Sequence, residues 1–192
     1  MLLFSLFIGF LAGVFEEPAR YLVFKYFFTD KKKKLNKSGA LLFGLGWGGI
    51  ESILIAVLVL SSMIFYINAK PLSETDISAI NQTMNGTMTE NDVLLYNEQI
   101  ASIGKLSPLD VLPGLLERII AITIHIFFTL LVFKSVRENK LKYLIFAVML
   151  HTLFDTLAVF INSEYGVLLT EFILLLIAVP AFFYIKKESL KI

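Results

Sequence analysis

Five apolar runs, each at least about 20 residues long, dominate the chain and leave few options for its fold. They run approximately 2–28, 39–67, 111–133, 143–162 and 165–185. A helix of roughly 20 residues crosses about 30 Å of hydrocarbon. Inside lipid every backbone N–H and C=O must find its partner within the protein, and a helix does this segment by segment. The expected fold is therefore all-α: a polytopic transmembrane bundle of five helices, one integral membrane domain over 1–192, with a long extracytoplasmic loop at 68–110. Composition agrees. Hydrophobic residues make up 57% of the chain and charged ones 17%, against about 45–50% and about 25% in soluble domains. Mean hydropathy is +0.77. The first run has no basic start and continues past Glu16 and Glu17 to Phe28, so it reads as a membrane helix, not a signal peptide. The absence of cysteine excludes disulfides, thiolate metal sites and a cysteine nucleophile.

Charge assigns the sides. Basic residues cluster at Lys31 to Lys34 with Lys37, at Lys134, Arg137, Lys140 and Lys142, and at Lys186, Lys187 and Lys191. Short cytoplasmic loops carry the Lys/Arg excess, which puts all three clusters inside, the N-terminus outside and the C-terminus in the cytoplasm. These lysines mark topology, and the net charge of +1 gives no reason to expect nucleic acid as a partner. The 68–110 loop is acidic, with Glu74, Asp76, Glu90, Asp92, Glu98 and Asp110 against Lys70 and Lys105. It contains "NQT" at 81–83 and "NGT" at 85–87, which match the glycan acceptor pattern. One short amphipathic helix is expected in it near 92–103.

The apolar runs are not uniformly apolar. Ionisable groups inside a bilayer cost several kcal/mol, face protein or water, and mark function by default. The first run carries Glu16, Glu17 and Arg20, and the second Glu51; the third carries Glu117, Arg118 and His125. His151 and Asp155 follow in the fourth and Glu171 in the fifth. A helix rises about 1.5 Å per residue, so Glu16 lies roughly 21 Å in from Asp30 and Glu51 roughly 20 Å from Ser38. By the same count His125 lies roughly 14 Å in from Lys134, and His151 and Asp155 roughly 14 and 20 Å from Lys142. These residues of four helices share one slab about 7 Å thick near mid-membrane.

Spacing adds geometry. His151 and Asp155 are i and i+4, so they share a helix face. Arg20 is i+3 or i+4 from each glutamate of the pair, which lets it hold one while the other works. Arg118 and His125 are seven apart, and Arg118 is placed to meet a carboxylate nearer the outer boundary. Gly44, Gly46, Gly48 and Gly49 give the second helix a smooth face for close approach of a neighbour, bringing Glu51 to the others. Pro18 removes the ladder bond to residue 14, so a kink is expected beside the glutamates. A membrane histidine alone is more often a packing residue, and a Glu–Arg pair is often a structural salt bridge. Two histidines and several carboxylates at one depth are different: imidazole and carboxylate ligands with an open position are what catalytic zinc uses. Zn²⁺ or another divalent transition metal is the expected cofactor, held by His125, His151 and a carboxylate, with Glu16 or Glu17 for proton transfer.

The motifs "EEPAR", "GLGWGGIES", "ERIIAITIHI" and "HTLFD", on successive helices, resemble the YhfC family of intramembrane metalloproteases. Their order is also similar to that of the PrsW-type proteases and, more distantly, of the CAAX-prenyl-protease and bacteriocin-processing family. The resemblance covers roughly 10–60 and 111–160. It implies that Glu16 and Glu17 are the catalytic pair with Arg20 as partner. It also implies that His125, His151 and Asp155 are metal ligands, with Glu51 a further ligand or site carboxylate. The CAAX-type pattern expects a histidine four residues after a phenylalanine, whereas Phe43 is followed by Trp47. The glutamate helix also stands nearer the start of the sequence than the resemblance leads one to expect.

Two functions fit. The first is a metal-dependent intramembrane peptidase that hydrolyses membrane-anchored or membrane-embedded peptides through a metal-activated water. The second is a non-hydrolytic membrane protein, such as a small transporter, an ion-binding protein or an inactive protease-like scaffold, using the same polar cavity. No internal repeat of the kind common in transporters is evident.

Overall fold

The computed structural model of the chain describes residues 1–28, 36–83, 88–105 and 108–190. The basic cluster Lys31 to Lys34, Lys191 and the tripeptide at 85–87 lie outside the described residues. The described residues are all-helical: α1 (Leu2–Phe27), α2 (Lys37–Asn68), α3 (Glu74–Thr83), α4 (Glu90–Ile103), a 3-10 turn at Pro108–Val111, α5 (Leu112–Glu138), α6 (Lys142–Tyr165) and α7 (Val167–Ser189). Five of them, α1, α2, α5, α6 and α7, are long and apolar enough to cross a membrane. The chain divides into two compact units, Met1–Ser52 with Leu112–Ile192, and Ile53–Val111.

In the first unit α5 is central. It packs on α1, α6 and α7, and it is the most buried of the five spans. Small residues decide how close its neighbours come. Ser5, Gly9 and Gly13 recur every fourth position on α1 and are buried; a Cβ on Gly13 would lie 2.6 Å from the Val148 carbonyl oxygen of α6. Ala40, Gly44 and Gly48 repeat the device on α2, where a Cβ on Gly44 would sit 2.8 Å from the Ile126 Cα. Close backbone approach of this kind is how membrane helices gain packing contacts when lipid tails are as apolar as leucine. A Cβ on Gly46 or Gly49, expected on the same smooth face, would meet no neighbouring helix within 4 Å among the described residues. The helical period puts them on another side, and α2 runs unbroken through all four glycines.

The last two membrane helices, expected at 143–162 and 165–185, meet at a single residue. α6 continues to Tyr165, and Gly166 alone reverses the chain at φ 84°, a conformation side-chain-bearing residues rarely adopt. Asn139, at φ 52°, similarly closes α5 before α6 begins. At the basic end, Phe24 packs its ring against Phe28, Phe43 and Phe133. α1 passes through Pro18 as one helix.

In the second unit the loop is more ordered than expected. The helix anticipated near 92–103 spans Glu90–Ile103, and a further one, Glu74–Thr83, precedes it. Thr89 and Asp92 form a reciprocal capping box at the start of α4. Polar composition hid α3, because the signal used was apolar periodicity. Asn81, the first residue of the "NQT" tripeptide, uses its side-chain amide to bond both the N–H and the carbonyl of Met88.

Candidate metal centre

The charges of α1 meet the histidines of α5 and α6 in the interior of the first unit. Glu17 and Arg20 are fully buried, and His125 and His151 nearly so. They face inward because the stripe that packs α1 against α6 continues, four residues at a time, from Gly9 and Gly13 to Glu17. Arg20 Nη1 donates to Glu17 Oε1 at 2.5 Å, and its Nη2 donates to Glu16 Oε2 at 2.9 Å. The same Nη2 stands 2.6 Å from His125 Nδ1. A guanidinium only donates, so this ring nitrogen offers its lone pair and the proton is assigned to Nε2. Nε2 in turn faces Glu51 Oε2 at 2.5 Å.

His151 is held in the opposite sense. Its Nδ1 lies 2.7 Å from Glu17 Oε1, where an N–H donates to the carboxylate. Its Nε2 then points toward Asp155 Oδ2 at 3.4 Å. Phe128 stacks on this ring at 4.9 Å, and the two imidazoles meet edge to face at 5.5 Å. The seven residues expected to form the site, Glu16, Glu17, Arg20, Glu51, His125, His151 and Asp155, therefore stand in one network. Arg118 pairs with Glu117 and lies 3.8 Å from Glu51.

Trp47 was not anticipated as a member. Its indole Nε1 donates to Glu16 Oε2 at 2.8 Å, and the Arg20 guanidinium lies over its ring at 4.8 Å. It fills the position where the CAAX-type pattern would place a histidine. A usable signal was present: the chain's lone tryptophan stands beside two glycines on a helix that also carries an intramembrane carboxylate.

The donor set suits a divalent transition metal. Glu16, His125 and His151 each offer a ligand atom, and these atoms lie within 4.8 Å of one another. Glu17 Oε2 and Arg20 Nε are buried there with no hydrogen-bond partner among the described residues. A carboxylate behind a histidine, as Glu17 is behind His151, is the usual support of a metal-ligating imidazole. On the Nε2 side, Glu51, His125, His151 and Asp155 line a cavity of about 60 Å³, room for a few water molecules.

Fold and site together define an integral membrane protein of five long apolar helices around a buried imidazole–carboxylate centre able to hold a metal. Comparison with known sequences agrees: the profile of the YhfC intramembrane metalloprotease family matches residues 1–187, and the chain belongs to that family. It is 30% identical over 183 residues to the "Uncharacterized membrane protein YhfC" of Bacillus subtilis (strain 168), a match covering 93% of this chain and 66% of that protein. The chain thus spans slightly less than two thirds of that relative's length. No solved structure matches.

Proposed function

We propose that the chain is a metal-dependent intramembrane peptidase acting on membrane-anchored or membrane-embedded peptides. The observation that carries this reading is the approach of Glu16, His125 and His151 donor atoms to within 4.8 Å in a bundle interior. The family's description as an intramembrane metalloprotease supports it. Zn²⁺ or a similar ion, held by His125, His151 and a carboxylate from Glu16, Asp155 or Glu51, would supply a Lewis acid that polarises a peptide carbonyl and acidifies water.

The chain's own residues divide the remaining work. Glu17 is fully buried, and its Oε1 is taken by Arg20 and His151, so it is a positioning residue that fixes the His151 ring. Glu16 is partly open and receives donors from Arg20 and Trp47 on the same oxygen. Those two donors fix the orientation of its carboxyl group. Glu51 lines the cavity and faces His125 Nε2, where it is placed to take up or return a proton. Arg20 contacts Glu16, Glu17 and His125 at once, so it sets the geometry of all three.

The N-terminus outside and C-terminus inside belong to the same proposal, supported by Lys134, Arg137, Lys140, Lys142, Lys186 and Lys187 at one end of the bundle. Reporter fusions at the two termini check it. The function itself is tested by metal analysis of the purified protein together with cleavage of a membrane-anchored peptide. Chelator-sensitive cleavage that His151→Ala abolishes is expected. Wild-type protein without metal, or cleavage untouched by His151→Ala, would overturn the reading.

One observation favours the second function, a non-hydrolytic protein. Every ring nitrogen of His125 and His151 has a side chain of the protein within 3.4 Å, so the polar network closes on itself. A network that keeps its stability after complete metal removal, with no cleavage of any anchored peptide, would be the outcome for that case.

A further inference from the structure

Beyond the histidine pair, toward the end of the bundle where α6 turns into α7, lies a second cavity of about 150 Å³. It is lined from three helices, by Glu117 of α5, Ala158 and Asn162 of α6, and Thr170 and Glu171 of α7. Glu117 and Ala158 also line the cavity at the histidines, so the two spaces adjoin. The steps along α6 make this continuous: His151, Asp155, Ala158 and Asn162 recur every three or four residues and share a face.

Glu171 stands out in this space. It is only 5% exposed, its Oε2 is buried with no hydrogen-bond partner, and no ion pair reaches it among the described residues. Arg118, on the same stretch of α5 as Glu117, is already shared between Glu117 and Glu51. A buried carboxylate among apolar helices is strongly unfavourable unless something compensates it, and the Arg118 charge that acts on Glu171 is also drawn to Glu117 and Glu51. The side chains around it that carry polar atoms, Glu117, Asn162 and Thr170, offer only oxygen or amide groups and no imidazole. Oxygen donors with space for retained water suit a hard divalent cation better than zinc.

We infer that Glu171 and Glu117 form a vestibule that binds a hydrated divalent cation at the α6–α7 end of the bundle and opens toward the histidine centre. Negative charge in a low-dielectric cleft concentrates cations and repels anions. The vestibule is independent of whether the inner centre cleaves peptides, since it rests on different carboxylates.

The absence of cysteine from the chain makes the test direct. Ala158→Cys places a thiol in the wall shared by both cavities. Its reaction is followed with a positively and a negatively charged thiosulfonate reagent, each rate divided by that reagent's rate with a free thiol. The cationic reagent is expected to be favoured by about tenfold or more, and Glu171→Gln to reduce that preference to about twofold or less. Millimolar Mn²⁺ should slow the cationic reaction when Glu171 is present and leave it unchanged in Glu171→Gln. Equal normalised rates, an unreactive thiol in monodisperse protein, or Mn²⁺ protection that survives Glu171→Gln would each overturn the vestibule. Should Ala158→Cys fail to fold, Asn162→Cys at the outer part of the cavity carries the same measurement. The readout needs neither bound zinc nor cleavage. A charge-selective, Mn²⁺-protected thiol in a protein with no peptidase activity would uphold the vestibule while removing the metalloprotease reading.

Discussion

The two adjacent glutamates of α1 are chemically identical and structurally opposite. Glu17 is sealed, with Arg20 and His151 on one oxygen. Glu16 keeps 27% of its side chain exposed and takes its donors from Arg20 and Trp47. Adjacent residues on a helix point about 100° apart, so one packs into the α6 interface while the other looks along the cleft. Replacing Glu17 with Gln removes the carboxylate that bridges Arg20 and His151, and breaking a buried pair from one side costs about 3–5 kcal/mol. Glu17→Gln should therefore lower the thermal unfolding midpoint sharply. Glu16→Gln should cost less than about 1 kcal/mol, because its pair is partly exposed, yet abolish cleavage. Unfolding curves and peptide cleavage on the two variants check this; equal destabilisation would defeat the division of roles. Trp47→Phe, which keeps an aromatic ring but loses the indole N–H, should reduce activity more than it lowers the unfolding midpoint. Glu16, Glu17 and Arg20 were legible in the sequence because charge in an apolar run is rare. The split between the glutamates was not, since it depends on which face α6 covers.

Helix packing turns on a few small side chains. A Cβ on Gly44 would run into the α5 backbone and one on Gly46 would meet no neighbouring helix among the described residues, although both stand in the same glycine-rich stretch. Gly44→Ala should push α2 from α5 and destabilise the protein. Gly46→Ala should stabilise it by up to about 1 kcal/mol, the helix-propensity difference between the two residues. Thermal unfolding in detergent separates the two outcomes. In the second unit, the α4 capping box gives a pH dependence of defined sign. Hydrogen bonds from the Thr89 hydroxyl and then its backbone N–H hold the Asp92 carboxyl below its usual value. A depressed carboxylate contributes stability above its unfolded pKa of about 3.9 and loses it as pH falls through the lower folded value. The protection of the first-turn amides of α4, their exchange rate relative to the intrinsic rate at each pH, should therefore fall in that acid range, and the fall should be absent in Thr89→Ala, where the box is already broken. The existence of the membrane helices was legible from run length. Their ends were less so: α5 reaches Glu138 and α6 reaches Tyr165, because charged and polar residues extend a helix once it leaves the apolar layer.

For the molecule as a whole, the centre joins four helices that sequence alone leaves separate, with Glu51 and Trp47 supplied by α2. Glu16 and Glu17 come from α1, His125 from α5 and His151 from α6, so a ligand bridging them would tie α1 to the rest of the bundle. A metal that binds only the folded state at a free concentration a hundred times its Kd adds about 2.7 kcal/mol of stability. Zn²⁺ should thus raise the unfolding midpoint of chelator-stripped protein, and His151→Ala should remove the increment. An unchanged midpoint in the wild type would separate the bundle's stability from any metal.

The sequence alone determined that this chain is an all-helical membrane protein with five long apolar helices, and it singled out the ionisable residues that the fold brings together. The reasons are local: apolar run length answers to bilayer thickness, and a charge in such a run is too costly to be incidental. Counting along each helix even placed Glu16, Glu51, His125, His151 and Asp155 at one depth. Depth is one coordinate, and rotation about each helix axis is another. Only tertiary packing, through Gly9 and Gly13 against α6 and Gly44 and Gly48 against α5, decided which side chains turned toward one another. It put Glu17 behind His151, Trp47 on Glu16, and Glu171 beside a cavity with its Oε2 unbonded among the described residues. Those pairings are set by which small residue meets which backbone on a neighbouring helix, and no single helix encodes that by itself.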